Sequence, residues 1–234
     1  MTEQRVQTSE ALRVGVLLAL AGGYLDAYTY LCRGGVFANA ETGNMVLLGV
    51  KLAAGNWAGA AKYLPPIFAF FLGVLVAEVI RRRGKAAVSS KLHWRQWVLA
   101  LEIVVLAAAA FLPMGGGWDM AVNWAVSFVC ALQVESFRRV HGKAYVTTMC
   151  TGNLRSGTEA LYRGWLTGER EDLRRAGRYY GIIVFFCAGA ALGAWCSGAW
   201  GRRAVLAASL LLFAAFLLMF RRKNTCGEGE SGIK

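Results

Sequence analysis

Paired cysteines, histidine and evenly spread charge are scarce in this chain, and each scarcity removes a class of protein. The six cysteines stand at positions 32, 130, 150, 187, 196 and 226, with no C-x-x-C pair, and the two histidines, His93 and His141, sit in basic stretches. Neither a zinc site nor a disulfide framework follows from that spacing, and the cysteines read as small buried hydrophobes. No Walker-type or dinucleotide-binding loop occurs. No histidine falls in an apolar run, so Ser127, Cys130 and Cys150 have no base to activate them. The chain is read as a non-enzyme with no cofactor and no metal.

Charged residues make up only 17% of the 234 positions, against 56% hydrophobic types, and the mean hydropathy is +0.42. A soluble domain of this length rarely reaches that balance. The charge is also segregated: "RRRGK" (81–85) and "RRK" (221–223) are dense while whole stretches carry none. A net charge of +12 raises the possibility of nucleic-acid binding. The basic residues flank apolar runs instead, as the positive-inside rule expects of a polytopic membrane protein, so no nucleic-acid partner is assigned.

What is present is a series of runs long enough to span a bilayer, which takes about 20 residues each. They are 14–32, 63–80, 96–113, 119–137, 178–198 and 203–220, with tryptophans and tyrosines such as Trp57, Trp94, Trp118 and Trp200 near their ends. The first run resembles a signal-peptide core but continues through "YLDAYTYLC", so it is read as a retained helix behind a cytoplasmic tail, 1–13.

Two further segments share a tripeptide, "ETGNMVLLGVKLAAG" (41–55) and "CTGNLRSGTEALYRG" (150–164). A shift of 109 residues superposes Thr42-Gly43-Asn44 on Thr151-Gly152-Asn153, Gly55 on Gly164 and Asp26 on Glu135. A shift of 116 then matches Tyr63, Ile67, Phe70 and Gly73 to Tyr179, Ile183, Phe186 and Gly189. The chain therefore reads as two repeats, 1–117 and 118–234, within one membrane domain. If each tripeptide segment dips in and returns on one side, there are six spans and the halves are inverted. The tail, 81–95, 138–143, 163–178 and 221–223 then all face the cytoplasm, leaving Arg33, Lys62, Arg202 and Arg203 outside. That arrangement fits the basic-loop asymmetry better than eight spans do, and it puts both termini inside.

The expected fold is thus an all-α membrane protein of six transmembrane helices as 3+3 inverted repeats, each with a Thr-Gly-Asn re-entrant half-helix. Thr is a good helix N-cap and Gly permits a tight turn, so each tripeptide reads as a half-helix start near the midplane. Thr42, Gly43, Asn44, Thr151, Gly152 and Asn153 are the expected substrate-binding residues. Asp26, in the middle of an otherwise uncharged span, is the expected proton-coupling residue. Glu135, its repeat mate, is a secondary candidate beside Arg138 and Arg139. Glu102 reads as snorkelling or pairing with Arg95, Glu78 as a helix-surface partner of Arg81, and Arg155 with Glu159 as an i,i+4 pair.

The stretches "GGYLDAYTYLCRGGVFANAETGN" (22–44) and "LQVESFRRVHGKAYVTTMCTGNLRSG" (132–157) resemble the two signatures of the YoaK-like family of bacterial inner-membrane proteins. The resemblance implies a polytopic inner-membrane protein and carries no established substrate. From the residues, the expected function is a permease or channel for a small polar or anionic solute, proton-coupled through Asp26. The alternative is a non-transporting scaffold, sensor or assembly protein. The expected partners are the bilayer, the solute and a second copy of the chain, since six short spans enclose only a small cavity.

Overall fold

Apolar runs without room for water must pair their backbone groups internally, and helices are the way to do it. The computed structural model describes residues 12–84, 94–137, 139–140, 143–144 and 150–224. The tail before residue 12, the loop residues 85–93, His93, His141 and Cys226 lie outside these. The elements are α1 (Leu12–Cys32), α2 (Glu41–Ala53), α3 (Trp57–Ala61), α4 (Leu64–Gly84), α5 (Trp94–Ala109), α6 (Gly117–Ser136), β1 (Arg139–Val140), β2 (Lys143–Ala144), α7 (Cys150–Thr167), α8 (Arg170–Trp200) and α9 (Val205–Asn224). The two strands form a short antiparallel hairpin; the described fold is otherwise helical.

Among the described residues three stretches are long and apolar enough to cross a membrane: Leu12–Cys32, Trp57–Arg83 and Arg170–Met219. The last runs through α8 and α9, which reverse at Gly201, where φ is +52° and the amide closes on the Ser197 carbonyl. Glycine suits that left-handed stop. By its 16 residues α5 is short for a crossing, and α8 begins at Arg170, taking in arginines expected in a loop.

Helix α1 is the central element, buried on most of its surface from Val14 to Cys32. It packs on α8 and α9, while α6 packs on α4 and α5, and α5 closes the bundle against α9. Close approach depends on small residues. A Cβ at Gly189 would collide with the Leu20 carbonyl of α1, and one at Gly73 with the Phe128 carbonyl of α6.

One end of the bundle is tied by Arg33, expected on the outer surface but fully buried. Its guanidinium donates to the carbonyls of Pro113 (2.5 Å), Ala109 (2.9 Å) and Leu112 (3.2 Å) and to Tyr28 Oη (3.0 Å). It also pairs with Asp119 at 3.3 Å. The sequence could not show that the carbonyls freed at the end of α5 converge there. Lys62 donates to the Gly34 carbonyl (2.7 Å), and Tyr28 and Tyr24 donate to the carbonyls of Arg202 (3.1 Å) and Ala204 (2.6 Å). At the opposite end Arg81 pairs with Glu78 (2.5 Å) and Glu135 (3.9 Å), joining α4 to α6. The helices α1, α4, α5, α6, α8 and α9 therefore run alternately between these two ends.

Alanine at Gly73 or Gly189 is expected to cost ~1–3 kcal/mol or more, because backbone leaves nowhere for the methyl to go. Gly198→Ala, where a Cβ meets nothing within 4 Å, should be neutral or stabilise by up to about 1 kcal/mol. Reversible unfolding in mixed micelles measures both; equal effects at the three sites would refute the close-packing account.

Candidate functional site

The chain between α1 and α2 does not stay at the Arg33 end. Residues 33–40 turn back along α1, and the Asn39 and Ala40 amides donate to Asp26 Oδ1 (2.6 and 3.4 Å). Asp26 lies about 10 Å below Arg33 along the helix, by the rise per residue. Asn39 Nδ2 also donates to the Gly22 carbonyl (3.3 Å). Asp26 is thus no partner of Arg33: it is the acceptor that holds irregular backbone inside the bundle.

Asn44 completes this fold-back. Its Oδ1 accepts from the Phe37 amide, and its Nδ2 donates to the Phe37 carbonyl and to Glu41, each at 2.9 Å. The amide of Asn44, an expected substrate-binding residue, is engaged within the fold-back and acts there as a staple. Gly43 lies under the Phe37 ring, where a Cβ would be 2.9 Å from Cδ2, and Thr42 is exposed. The tripeptide occupies the first turn of α2 and does not cap it: Ala40 stands at the N-cap with no side-chain bond.

In the second segment α7 starts at Cys150, one residue before Thr151. Asn153 is buried, Thr151 and Gly152 are exposed, and the helix runs 18 residues, longer than the expected half-helix. Arg155 and Glu159 form the expected pair at 2.9 Å. The start of α7 lies within electrostatic reach of Asp26 and Cys187. Its later turns follow α8 the other way: Thr158 bonds Tyr180 at 3.1 Å, and Gly164 packs under Leu173. The two tripeptide helices therefore start near Asp26, α2 running to the Arg33 end and α7 to the opposite one.

A residue that sequence reasoning placed elsewhere also belongs here. Glu102 is fully buried, with no partner for either oxygen, and does not pair with Arg95. With Asp26 and Glu41 it lies within electrostatic reach of the Cys130 thiol on α6, which also contacts the Asn39 side chain. The signal was present: Leu99, Glu102 and Leu106 share one buried stripe of α5. Asp26 Oδ2, Asn39 Oδ1, Glu41 Oε1 and both Glu102 oxygens are buried without a hydrogen-bond donor. No cation acts on the three carboxyl groups among the described residues. Buried acceptors in such excess suit a ligand that brings protons or N–H and O–H donors. Glu135 stands apart, in its ion pair with Arg81 at the bundle end.

Large apolar side chains cover the outside, among them Phe111, Trp165, Val184 and Leu210, each more than half exposed. An apolar exterior around a polar, closely bonded interior defines an integral membrane protein. The chain belongs to the family described as Protein of unknown function (DUF1275), whose model matches residues 14–218. It is similar to UPF0700 transmembrane protein YoaK of Bacillus subtilis (strain 168), with 25% identity over 150 residues. That match covers 62% of this chain and 64% of the relative, just under two thirds of the relative's length. No solved structure matches.

Asn44→Ala removes three hydrogen bonds and orphans both backbone groups of Phe37, so a loss of about 2–4 kcal/mol of stability is expected. Thr42→Ala, at an exposed and uncapped position, should change stability by less than about 0.5 kcal/mol. Equal losses from the two substitutions in mixed-micelle unfolding would contradict the staple.

Proposed function

We propose that the chain is a permease for a small polar solute that donates hydrogen bonds, moved together with a proton. The observation that carries this reading is that the starts of α2 and α7 both lie within electrostatic reach of Asp26, beside buried acceptor oxygens with no counter-cation among the described residues. Half-helices meeting near the midplane are a recurring way to build a transport site, and irregular backbone is tolerated there because it is buried or lines a cavity. The three carboxyl groups weigh against an anionic solute, the second half of the expected substrate class.

The proposed architecture is six crossings in two inverted halves, with α2 re-entering from outside and α7 from the cytoplasm. Exchanging the halves turns the α1–α8 packing into α6–α4 and α1–α9 into α6–α5, and leaves α5–α9 unchanged, which supports this reading. So do the repeat mates Gly73 and Gly189, each seated on a carbonyl of the other half's first helix. The basic residues Arg81, Arg82, Arg83, Arg174 and Arg178 gather at the end taken as cytoplasmic, which supports an inner-membrane protein with both termini inside. Six short crossings suit a homodimer.

In this scheme Asp26 and Glu102 are the proton-binding carboxyls, and Asn39 and Asn44 hold the fold-back in place. Proteoliposomes tested by solute-driven swelling against a panel of uncharged and amine solutes should admit at least one faster than protein-free vesicles. That flux should respond to an imposed pH gradient. Asp26→Asn keeps an acceptor for the loop amides, so the protein should fold, and the pH response should vanish; Glu102→Gln should do the same and Glu135→Gln should not. A wild-type response in Asp26→Asn would make Asp26 structural. No flux of any solute would favour the scaffold reading.

A further inference from the structure

A groove lies where the start of α1 meets the first half of α8, at the end of the bundle away from Arg33. Its walls are Leu12 and Val16 from α1 and Ile182 and Phe185 from α8, and its rim carries Arg174 and Arg178. We infer that it binds one anionic phospholipid, with the phosphate on the two guanidinium groups and an acyl chain along the apolar wall. This inference does not depend on transport.

The spacing on α8 is what builds the site. Arg174, Arg178, Gly181 and Phe185 follow at intervals of four, three and four residues, so they share one helix face. Gly177 and Gly181 form the floor, where an added Cβ would meet nothing within 4 Å, so the missing side chains leave the groove open to its bottom. Phe185 stands about 10 Å below Arg178 by the helix rise. Beside it Val184 is 64% exposed and Phe185 itself 40%. The apolar wall thus continues outward from the basic rim in the direction that a lipid tail takes.

The charge on the rim is available. Arg174 is exposed and has no ion pair among the described residues. Arg178 reaches Glu171 at 3.5 Å, but Glu171 is 57% exposed, and a solvated pair of that kind holds an arginine weakly. The other acidic residue of that first turn, Asp172, is engaged by Arg163 at 3.9 Å. Two guanidiniums four residues apart offer planar, permanently charged forks to one phosphate. A soluble anion has no use for the four apolar walls, and a zwitterionic lipid carries an ammonium group back toward the arginines. The combination selects an anionic lipid, and basic pockets between transmembrane helices on the cytoplasmic side are a recurring place for one.

The test is native mass spectrometry of the purified chain released from detergent, after addition of palmitoyl-oleoyl phosphatidylglycerol or the matching phosphatidylcholine. The wild type should keep one phosphatidylglycerol to higher collision energy than phosphatidylcholine. Arg174→Gln with Arg178→Gln should bring phosphatidylglycerol down to the phosphatidylcholine level. Gly181→Leu, which fills the floor and leaves both arginines, should also lose the lipid while the melting temperature holds. Equal retention of the two lipids by the wild type would overturn the inference, as would a preference that survives the double substitution. If Gly181→Leu keeps the preference, or inorganic phosphate displaces the lipid, the site is an ionic patch and the lipid groove is rejected.

Discussion

Asp26 accepts the Asn39 and Ala40 amides through one carboxyl oxygen, and most of the candidate site follows from that contact. Irregular backbone inside an apolar bundle is ruinous unless each N–H and C=O is paired. Here the pairing is local: Asp26 takes two amides, Asn44 closes on both groups of Phe37, and the Glu41 and Gly43 amides donate to Asn39 and Ala40. With those groups satisfied the chain can leave the end of α1, turn back to its middle and start α2 there. A hydrophobic residue at position 26 would leave the amides without an acceptor, and the fold-back would have no reason to form.

The rest of the bundle makes room for this. Arg33 draws the ends of α1 and α5 and the start of α6 into one knot, so α1 can sit centrally while its following loop turns inward. Gly189 and Gly193 let α8 press against α1 from the side, and Gly73 does the same for α4 on α6. Tight packing around α1 leaves the buried oxygens of Asp26, Asn39, Glu41 and Glu102 as the polar interior near Cys130. A polar interior within an apolar exterior is costly to maintain, and in membrane proteins such groups mark a path or a site.

The long helices overlap the apolar runs because length and hydropathy are properties of single segments, although α8 starts at Arg170, ahead of its run. Asp26 and the two tripeptides were legible for a related reason: a charge or an Asn in an apolar run is conspicuous. What could not be read was which groups meet. Arg33 looked like an outer-surface residue because the carbonyls that hold it lie about 80 positions away. Glu102 was assigned to the loop that precedes it, although its stripe with Leu99 and Leu106 already pointed inward. Thr42 resembled a cap and is not one, because the fold-back from Asp26 starts α2 earlier, at Glu41. The length of α7 follows from its packing along α8, which no local pattern encodes.

Both α2 and α7 start within electrostatic reach of Asp26, and the two helices leave toward opposite ends of the bundle. Single cysteines at Ala54 and Leu166, both exposed just inside or after the far ends of these helices, test this in a chain whose native cysteines are replaced by alanine. A membrane-impermeant maleimide should label Ala54→Cys on intact cells and Leu166→Cys only after the membrane is opened. Labelling of both positions from the same side would contradict the account.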